Sequence, residues 1–425
     1  MKFKLNVIRN GEKLVWSFDN LTNTFYDENG KELLTEFKGS KSNHFDDILP
    51  FTRFENNNIK NRDLYLIEIQ LGSHCNFKCK YCSQTAIKDI AYNATPKDVD
   101  AFIDMLRNNV RSVERVQLWG GEPLVYWKTI RLLIPKLKEL YPNLQIYILT
   151  NGSLLTRSKV DFFNEYGVHL YISHDGPGNT KNRVNEKAFD VLENPKTLDA
   201  ILYAKEHMKS GYLVFNSTPS SGNINPSDII RWFKEKIGND VRVCVHNIVR
   251  CHNSADEESA KASILSEEEL KTYSEGIFEI LSNPDLYEND NSLRRKVIAM
   301  IEGWVCHEPF SSVPCECTMP TPYGITVNLR GDLLQCHNHP IAMPSSNHII
   351  RIEQAKALGF EHPSFKKRCR ECLVVHGCKG GCPVSDDKAS AMACPNLYAL
   401  WYGIFKSAVG ALFGVYLESV EKCQN

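Results

Sequence analysis

Three cysteines stand at Cys75, Cys79 and Cys82, with Tyr81 directly before the last of them. Thiolates spaced C-x3-C-x2-C can hold three irons of a 4Fe–4S cluster, for which cysteine is the standard ligand. The fourth iron then has no cysteine nearby and can accept an outside chelator. An open coordination position of that kind is what a catalytic metal centre needs. A structural zinc site calls for four ligands, often two C-x2-C pairs, and His74 could complete such a set. Position weighs against zinc, because the motif follows the apolar run 64–71 and barrel enzymes place their chemistry after strand C-termini.

Three more polar turns close the next apolar runs: Gly120-Gly121-Glu122-Pro123, Thr150-Asn151-Gly152 and Ser173-His174-Asp175-Gly176-Pro177. The glycines would let a backbone approach a ligand closely, and Glu122 can accept hydrogen bonds from an ammonium group. Each is ordinary alone. Four in succession at one end of a sheet point to a site.

The chain holds fifteen cysteines, an odd number in tight groups, and 425 residues are too many for a small disulfide scaffold. Metal ligation is the better account. Cys317 is followed after thirteen residues by Gly331 and after four more by Cys336; Cys369-x2-Cys372-x5-Cys378-x3-Cys382 and Cys394 come next. Cys244, Cys251 and Cys423 fit no spacing and read as buried thiols, while His246, His252 and His307 read as isolated. His337 and His339 flank Cys336 and are stronger candidates. The basic run 366–368 beside Cys369 reads as a solvated face that could also neutralise an anionic cluster.

The elements that must carry these residues follow a strand–helix rhythm. Apolar runs at 64–71, 113–119, 145–150, 168–173, 212–216 and 241–248 alternate with segments of helical spacing, which implies a parallel sheet. Six units fall short of the eight that close a barrel. The expected fold class is α/β, a partial (β/α)6 TIM-like barrel at 63–250. It is preceded by a small β-rich extension (1–62) with an Asn10-Gly11 hairpin and a second candidate turn at 27–30, and followed by a helical linker (251–305). Ser266 and Glu269 form a capping-box signal in that linker. Residues 306–396 hold nine cysteines with many Pro and Gly, so metal rather than a conventional core should organise this iron–sulfur domain. Residues 397–425 read as a closing helix introduced by Pro395 and Asn396, buried rather than spanning a membrane.

Hydrophobic residues at 42% and charged residues at 24% describe a packed protein, and a net charge of -1 gives no general attraction to nucleic acid or anionic lipid. The opening residues show no signal core, so a cytoplasmic location is expected, with no nucleic-acid or membrane partner.

Cys75, Cys79 and Cys82 with Tyr81, then Gly-Gly-Glu-Pro, Thr-Asn-Gly and Ser-His-Asp-Gly-Pro, resemble the radical S-adenosylmethionine superfamily over roughly residues 64–250. The resemblance implies that the open iron binds the amino and carboxylate groups of S-adenosylmethionine. It puts Gly120, Gly121 and Glu122 at the methionine ammonium, Tyr81 by the adenine, and Ser173, Asn216 and Arg183 at ribose and carboxylate. His174 departs from the family's usual hydrophobic residue and is a candidate on the substrate side. The later cysteines are similar in every spacing to the SPASM extension, which implies two auxiliary 4Fe–4S clusters, three in all. One would take Cys369, Cys372, Cys378 and Cys394; the other Cys317, Cys336 and Cys382, with Cys315, Cys306 or an open site as its fourth position.

Radical chemistry of this kind abstracts hydrogen from an unactivated C–H bond, and auxiliary clusters offer a sink for the second electron of a net oxidation. The expectation is a peptide maturase that forms an oxidative intramolecular cross-link in a ribosomally made precursor. Its expected partners are that peptide, an electron donor such as flavodoxin or ferredoxin, and either the barrel mouth or a separate peptide-recognition protein for delivery. His337 stands where sulfatase-maturing relatives carry a base aspartate, so formylglycine formation is the alternative, beside radical modification of a small molecule or nucleoside. A non-catalytic electron carrier or zinc scaffold would have no use for Gly-Gly-Glu-Pro. His337 and His174 are the candidate proton acceptors, since imidazole titrates near neutral pH.

Overall fold

The computed structural model describes residues 1–34, 59–84, 92–184, 189–310, 317–338, 348–357, 359 and 362–423. It opens with strands β1 (Lys2–Arg9) and β2 (Glu12–Asp19), joined through Asn10 and Gly11 at φ 52° and 85°. Two positive φ values in a row give the turn whose twist matches paired strands, so the Asn-Gly hairpin forms where expected. Strand β3 (Thr24–Tyr26) adds to β2, and the turn at 27–30 leads only to one bridge, Tyr26 with Glu32.

The main sheet starts at β4 (Asp63–Gln70), after which comes a two-residue strand, β5 (Lys78–Cys79). Helix α1 (Asp98–Asn109), β6 (Ser112–Trp119), α2 (Trp127–Leu140), β7 (Gln145–Thr150), α3 (Arg157–Glu165) and β8 (Val168–Ser173) follow. Next come β9 (Arg183–Val184), α4 (Pro195–His207), β10 (Leu213–Asn216), α5 (Pro226–Ile237) and β11 (Val243–Cys244). Strands β4, β6, β7, β8, β10 and β11 pair in parallel, in that order, as the six units of a partial barrel. The last is far shorter than 241–248. After Cys244 the backbone leaves the ladder, and the Val245 N–H donates to the Asp290 carboxylate instead.

The region read as having no conventional core contributes to this sheet. Strand β12 (Gly324–Asn328) runs parallel to β4, from Gly324 beside Leu66 to Asn328 beside Gln70, and all five residues are buried. Strand β13 (Leu333–Leu334) pairs antiparallel with it. Metal does not have to organise this first part, because ordinary strand pairing and burial do.

Side chains on the central strands alternate. Val113, Val116 and Leu118 of β6, Ile146 and Ile148 of β7, and Val168, Leu170 and Ile172 of β8 are buried. Arg115, Gln117, Tyr147, His169 and Tyr171 point the other way, into the lumen. A closed barrel fills its interior with branched apolar residues; this one leaves it polar and open.

Helix α6 (Glu267–Ser282) begins at the predicted capping box, with both Ser266 and Glu269 bonds present. Helix α7 (Asn291–Val305) is capped by Asp290. The closing helix α8 (Asp387–Phe413) starts earlier than Pro395 and Asn396 suggest. Asp386 caps it by accepting from Ala389 N at 2.8 Å, and Pro395 lies inside. Nor is the segment helical to its end, because β14 (Tyr416–Lys422) returns to pair antiparallel with β1. Phe18 and Phe25 of the small sheet pack on Trp304 and Phe405, with Phe25 and Trp304 ring centres 4.9 Å apart and Trp304 and Phe405 5.2 Å apart. Among the described residues no helix is long and apolar enough to cross a membrane.

Candidate active site

The cysteine loop after β4 is tied to the turns after β6, β7 and β8. Glu122 N donates to His74 O at 2.8 Å, and Asn76 joins Asn151 at 2.9 Å and Ser153 at 2.8 Å. β5 pairs antiparallel with β9, which sets Cys79 opposite Arg183. Burial pushes the Cys79 thiol up to about 12; Arg183 opposes this, while Cys82 and Cys75 add to it. The three thiols are therefore close neighbours on one short loop, a donor set that suits a thiolate-ligated cluster. Iron would displace their protons.

The two glycines permit a close approach within the chain itself. A Cβ on Gly120 would lie 2.5 Å from Gly72 O, and one on Gly121 would lie 2.0 Å from His74 O. Gly121 also has φ 50°. The close approach they permit is between the β6 turn and the cysteine loop. Glu122 is likewise committed: it is buried and accepts from Leu124 N (2.9 Å), Thr150 Oγ1 (2.5 Å) and Asn151 N (2.7 Å). Burial raises its pKa against these bonds. Its carboxylate locks two strand ends together, which the sequence expectation of a free ammonium acceptor did not include.

Asp175 is a functional candidate that sequence reasoning missed. The Tyr81 hydroxyl donates to one carboxylate oxygen, and the other accepts from Arg183 (3.1 Å) and Thr218 N (3.0 Å). Arg183 is buried and sits 5.6 Å over the Tyr81 ring. Tyr81 and Arg183, named separately from sequence, thus form one unit through Asp175, a residue already visible in the Ser-His-Asp-Gly-Pro turn. Ser173 and Asn216 pair in register at the ends of β8 and β10, and Asn247 donates to Asn216 Oδ1 at 3.0 Å.

His174 has both ring nitrogens engaged within the fold. It is fully buried, its Nε2 lies 2.9 Å from Asp190, its Nδ1 accepts from Gly176 N at 3.0 Å, and Trp232 stacks on the ring. His337 is partly exposed. Its Nδ1 lies 2.8 Å from Glu68 Oε2, and its ring stacks on Trp119 with centroids 3.9 Å apart. Thr326 Oγ1 of β12 donates to the same Glu68 oxygen at 2.8 Å. Trp119 lines a cavity of about 1130 Å³ in the lumen, whose far wall is made by α7 together with His376, Lys379 and Trp401.

Cys369, Cys372, Cys378 and Cys394, the set implied by the resemblance, line one small pocket. Cys382 lines it too, although the resemblance grouped it with Cys317 and Cys336. Those two pack with Leu66, Met319 and Val384, the last only two residues beyond Cys382. Cys315 lies outside the described residues, and Cys306 is the exposed C-cap of α7. Arg368 of the basic run donates to Ser390 Oγ at 2.6 Å and lines the pocket, where it, like Lys366, favours the Cys369 thiolate. The small N-terminal sheet supports this region: Asn20 Nδ2 donates to the carbonyls of Arg370 (3.1 Å) and Cys372 (2.8 Å).

Residues 69–234 match the radical SAM superfamily. Among curated proteins, the chain is 26% identical over 170 residues to the radical SAM cyclopropyl synthase TigE of Paramaledivibacter caminithermalis, spanning 36% of this chain and 35% of that protein. It is 24% identical over 331 residues to the cysteine-type anaerobic sulfatase-maturating enzyme of Clostridium perfringens, covering 73% of this chain and 86% of that protein. Among solved structures, native anSMEcpe with bound AdoMet and Kp18Cys peptide superposes with a TM-score of 0.60 at 18% identity, over 82% of this chain and 99% of that one. At that identity the likeness is one of fold.

Proposed function

With residues 69–234 a radical SAM domain and the protein an enzyme of that superfamily, we propose that it closes an oxidative intramolecular cross-link in a ribosomally made peptide. The observation that carries this reading is the lumen cavity. At about 1130 Å³, with Asn216 in its wall, it has room for S-adenosylmethionine and for a substrate beside it. Its walls mix Arg115, Arg295 and Lys296 with Glu302, phenols and amides, which suits a chain with many polar groups better than a compact metabolite.

When bound, a 4Fe–4S cluster on Cys75, Cys79 and Cys82 supplies the electron that splits S-adenosylmethionine into methionine and a 5′-deoxyadenosyl radical, and two auxiliary clusters on the later cysteines supply an electron sink. Gly120, Gly121 and Glu122 would hold the methionine end. Tyr81, oriented by Asp175 and Arg183, would lie by the adenine, with Ser173 and Asn216 at ribose and carboxylate. The peptide loses one hydrogen atom to the radical and, on closure, one electron and one proton. His337 takes that proton, and the Glu68 carboxylate 2.8 Å away stabilises the imidazolium. The reading calls for a precursor peptide, a one-electron donor such as flavodoxin or ferredoxin, and a reducing cytoplasm.

The test is co-expression with a short peptide encoded beside the gene, followed by mass analysis. A loss of about 2 Da per modification, without solvent deuterium, supports oxidative closure. Unchanged mass with one solvent deuterium would replace it with epimerisation. One observation favours a second reading: the similarity to a sulfatase-maturating enzyme covers most of both chains. Formylglycine in a co-expressed sulfatase would establish that reading instead.

A further inference from the structure

We propose that Cys244, His246 and Asp290 form a mononuclear site for zinc or ferrous ion in the wall of the lumen cavity. Cys244 ends β11, and His246 follows two residues later. In extended backbone, residues i and i+2 share a face, and both side chains line the cavity. Asp290 arrives from the other side, at the start of α7. One ligand atom from each residue lies within 4.8 Å of the other two, and His246 Nδ1 is 3.7 Å from Asp290 Oδ2.

Tetrahedral zinc with bonds of about 2.0–2.3 Å puts its ligand atoms roughly 3.3–3.8 Å apart. The histidine–aspartate edge already has that length, and the sulfur needs to close by about 1 Å at most. The carboxylate is held in place for such a role. Its Oδ1 accepts from Ser292 N at 2.9 Å, and Oδ2 accepts from Val245 N at 3.0 Å, so the oxygen nearest His246 is fixed by the backbone. Such outer contacts orient metal ligands.

Helix capping alone accounts for Asp290. It does not account for a thiol and an imidazole both brought within 4.8 Å of the same carboxylate. Ser292 Oγ lies 2.7 Å from His246 Nδ1 and would give way to the ion. One thiolate, one imidazole and one carboxylate form a borderline-soft donor set that suits zinc or ferrous ion over calcium or magnesium. Three protein ligands leave a fourth position, and here it opens into the cavity, where it can take a carboxylate, thiolate or imidazole of the substrate. That anchoring role rests on the peptide reading above; binding of the ion itself does not.

The experiment uses the cluster-reconstituted protein without substrate. It is passed over a chelating resin, given one equivalent of zinc, desalted, and assayed for zinc and iron by mass spectrometry. Wild type should retain one zinc per chain with its iron unchanged. Cys244→Ala and His246→Ala should each bind zinc at least ~10-fold more weakly while keeping wild-type iron content and melting temperature. Zinc K-edge absorption should show one sulfur among light-atom ligands. Failure of wild type to retain zinc, or equal retention by both variants, overturns the site. Zinc retention without any peptide product would instead preserve the site and overturn only the anchoring role.

Discussion

The His337 imidazole is held between two strands' side chains: Glu68 accepts at its Nδ1, 2.8 Å away, and Trp119 covers its face at 3.9 Å. The pair spans 269 residues of sequence, yet it fixes ring position and tautomer together. If His337 takes the substrate proton, His337→Ala should lower product formation on the order of 10²-fold or more. Cleavage of S-adenosylmethionine should persist. Loss of cleavage as well would assign His337 to cofactor binding.

Glu68 also makes a pH prediction. Burial raises its pKa, but the His337 charge and the bonds from His337 and Thr326 outweigh burial, and the net direction is down. A depressed carboxylate contributes stability that is present above its unfolded value, about 4.3, and is lost as pH falls through the folded value. Melting temperature should therefore drop on acidification below about pH 4 more steeply in wild type than in Glu68→Gln. Parallel curves would show that the pair carries no net linkage.

Gly121→Ala tests the close backbone approach. A methyl 2.0 Å from His74 O, at φ 50°, must push the cysteine loop away. The variant should lose 5′-deoxyadenosine formation and about four irons, the complement of one cluster. Retention of all iron with normal cleavage would show that the loop adapts.

Glu122→Ala should lower melting temperature as well as affinity for S-adenosylmethionine. It strips the acceptor from Leu124 N, Thr150 Oγ1 and Asn151 N, and bonds to a buried carboxylate are worth roughly 1.5–3 kcal/mol each. Calorimetry that showed weaker cofactor binding at unchanged stability would restore the simple ammonium-acceptor role.

Lys60 is buried and donates to the carbonyls of Met319 (2.6 Å), Thr321 (2.9 Å) and Gly324 (2.5 Å), pinning the loop that joins Cys317 to β12. Burial lowers its pKa to about 8, and Cys317 opposes that shift. Lys60→Met should release the loop and cost about four irons while cleavage of S-adenosylmethionine continues. Full iron content in this variant would show that the cysteines position themselves.

Local signals were legible in the sequence. The Asn10-Gly11 hairpin, the Ser266–Glu269 capping box and the central strands are written in short-range patterns, and the structure carries them in place. The polar lumen went unread, although Arg115, Gln117, Tyr147, His169 and Tyr171 interrupt the apolar runs of β6 to β8. Pairings between distant segments were not legible. A five-residue apolar run at 324–328 looks like any buried stretch until β4 offers its edge. Asp386 was a readable helix start, overlooked because Pro395 looked stronger. His246 read as isolated because its neighbour Asp290 is supplied by tertiary structure.

The pairing of β14 with β1 puts the order of assembly under the ribosome's control. Phe3 is in register with Lys422, so β1 waits for β14 to complete its sheet. At ~5–20 residues per second, the roughly 400 residues between them take about 20–80 s to emerge. The barrel strands, all earlier in sequence than β12, have that interval to pair before the small sheet closes. Asn20, which holds the Cys372 carbonyl, reaches its partner only near the end. Metal delivered early therefore meets the first three cysteines on a nearly finished scaffold, and the later ones on a chain still being made.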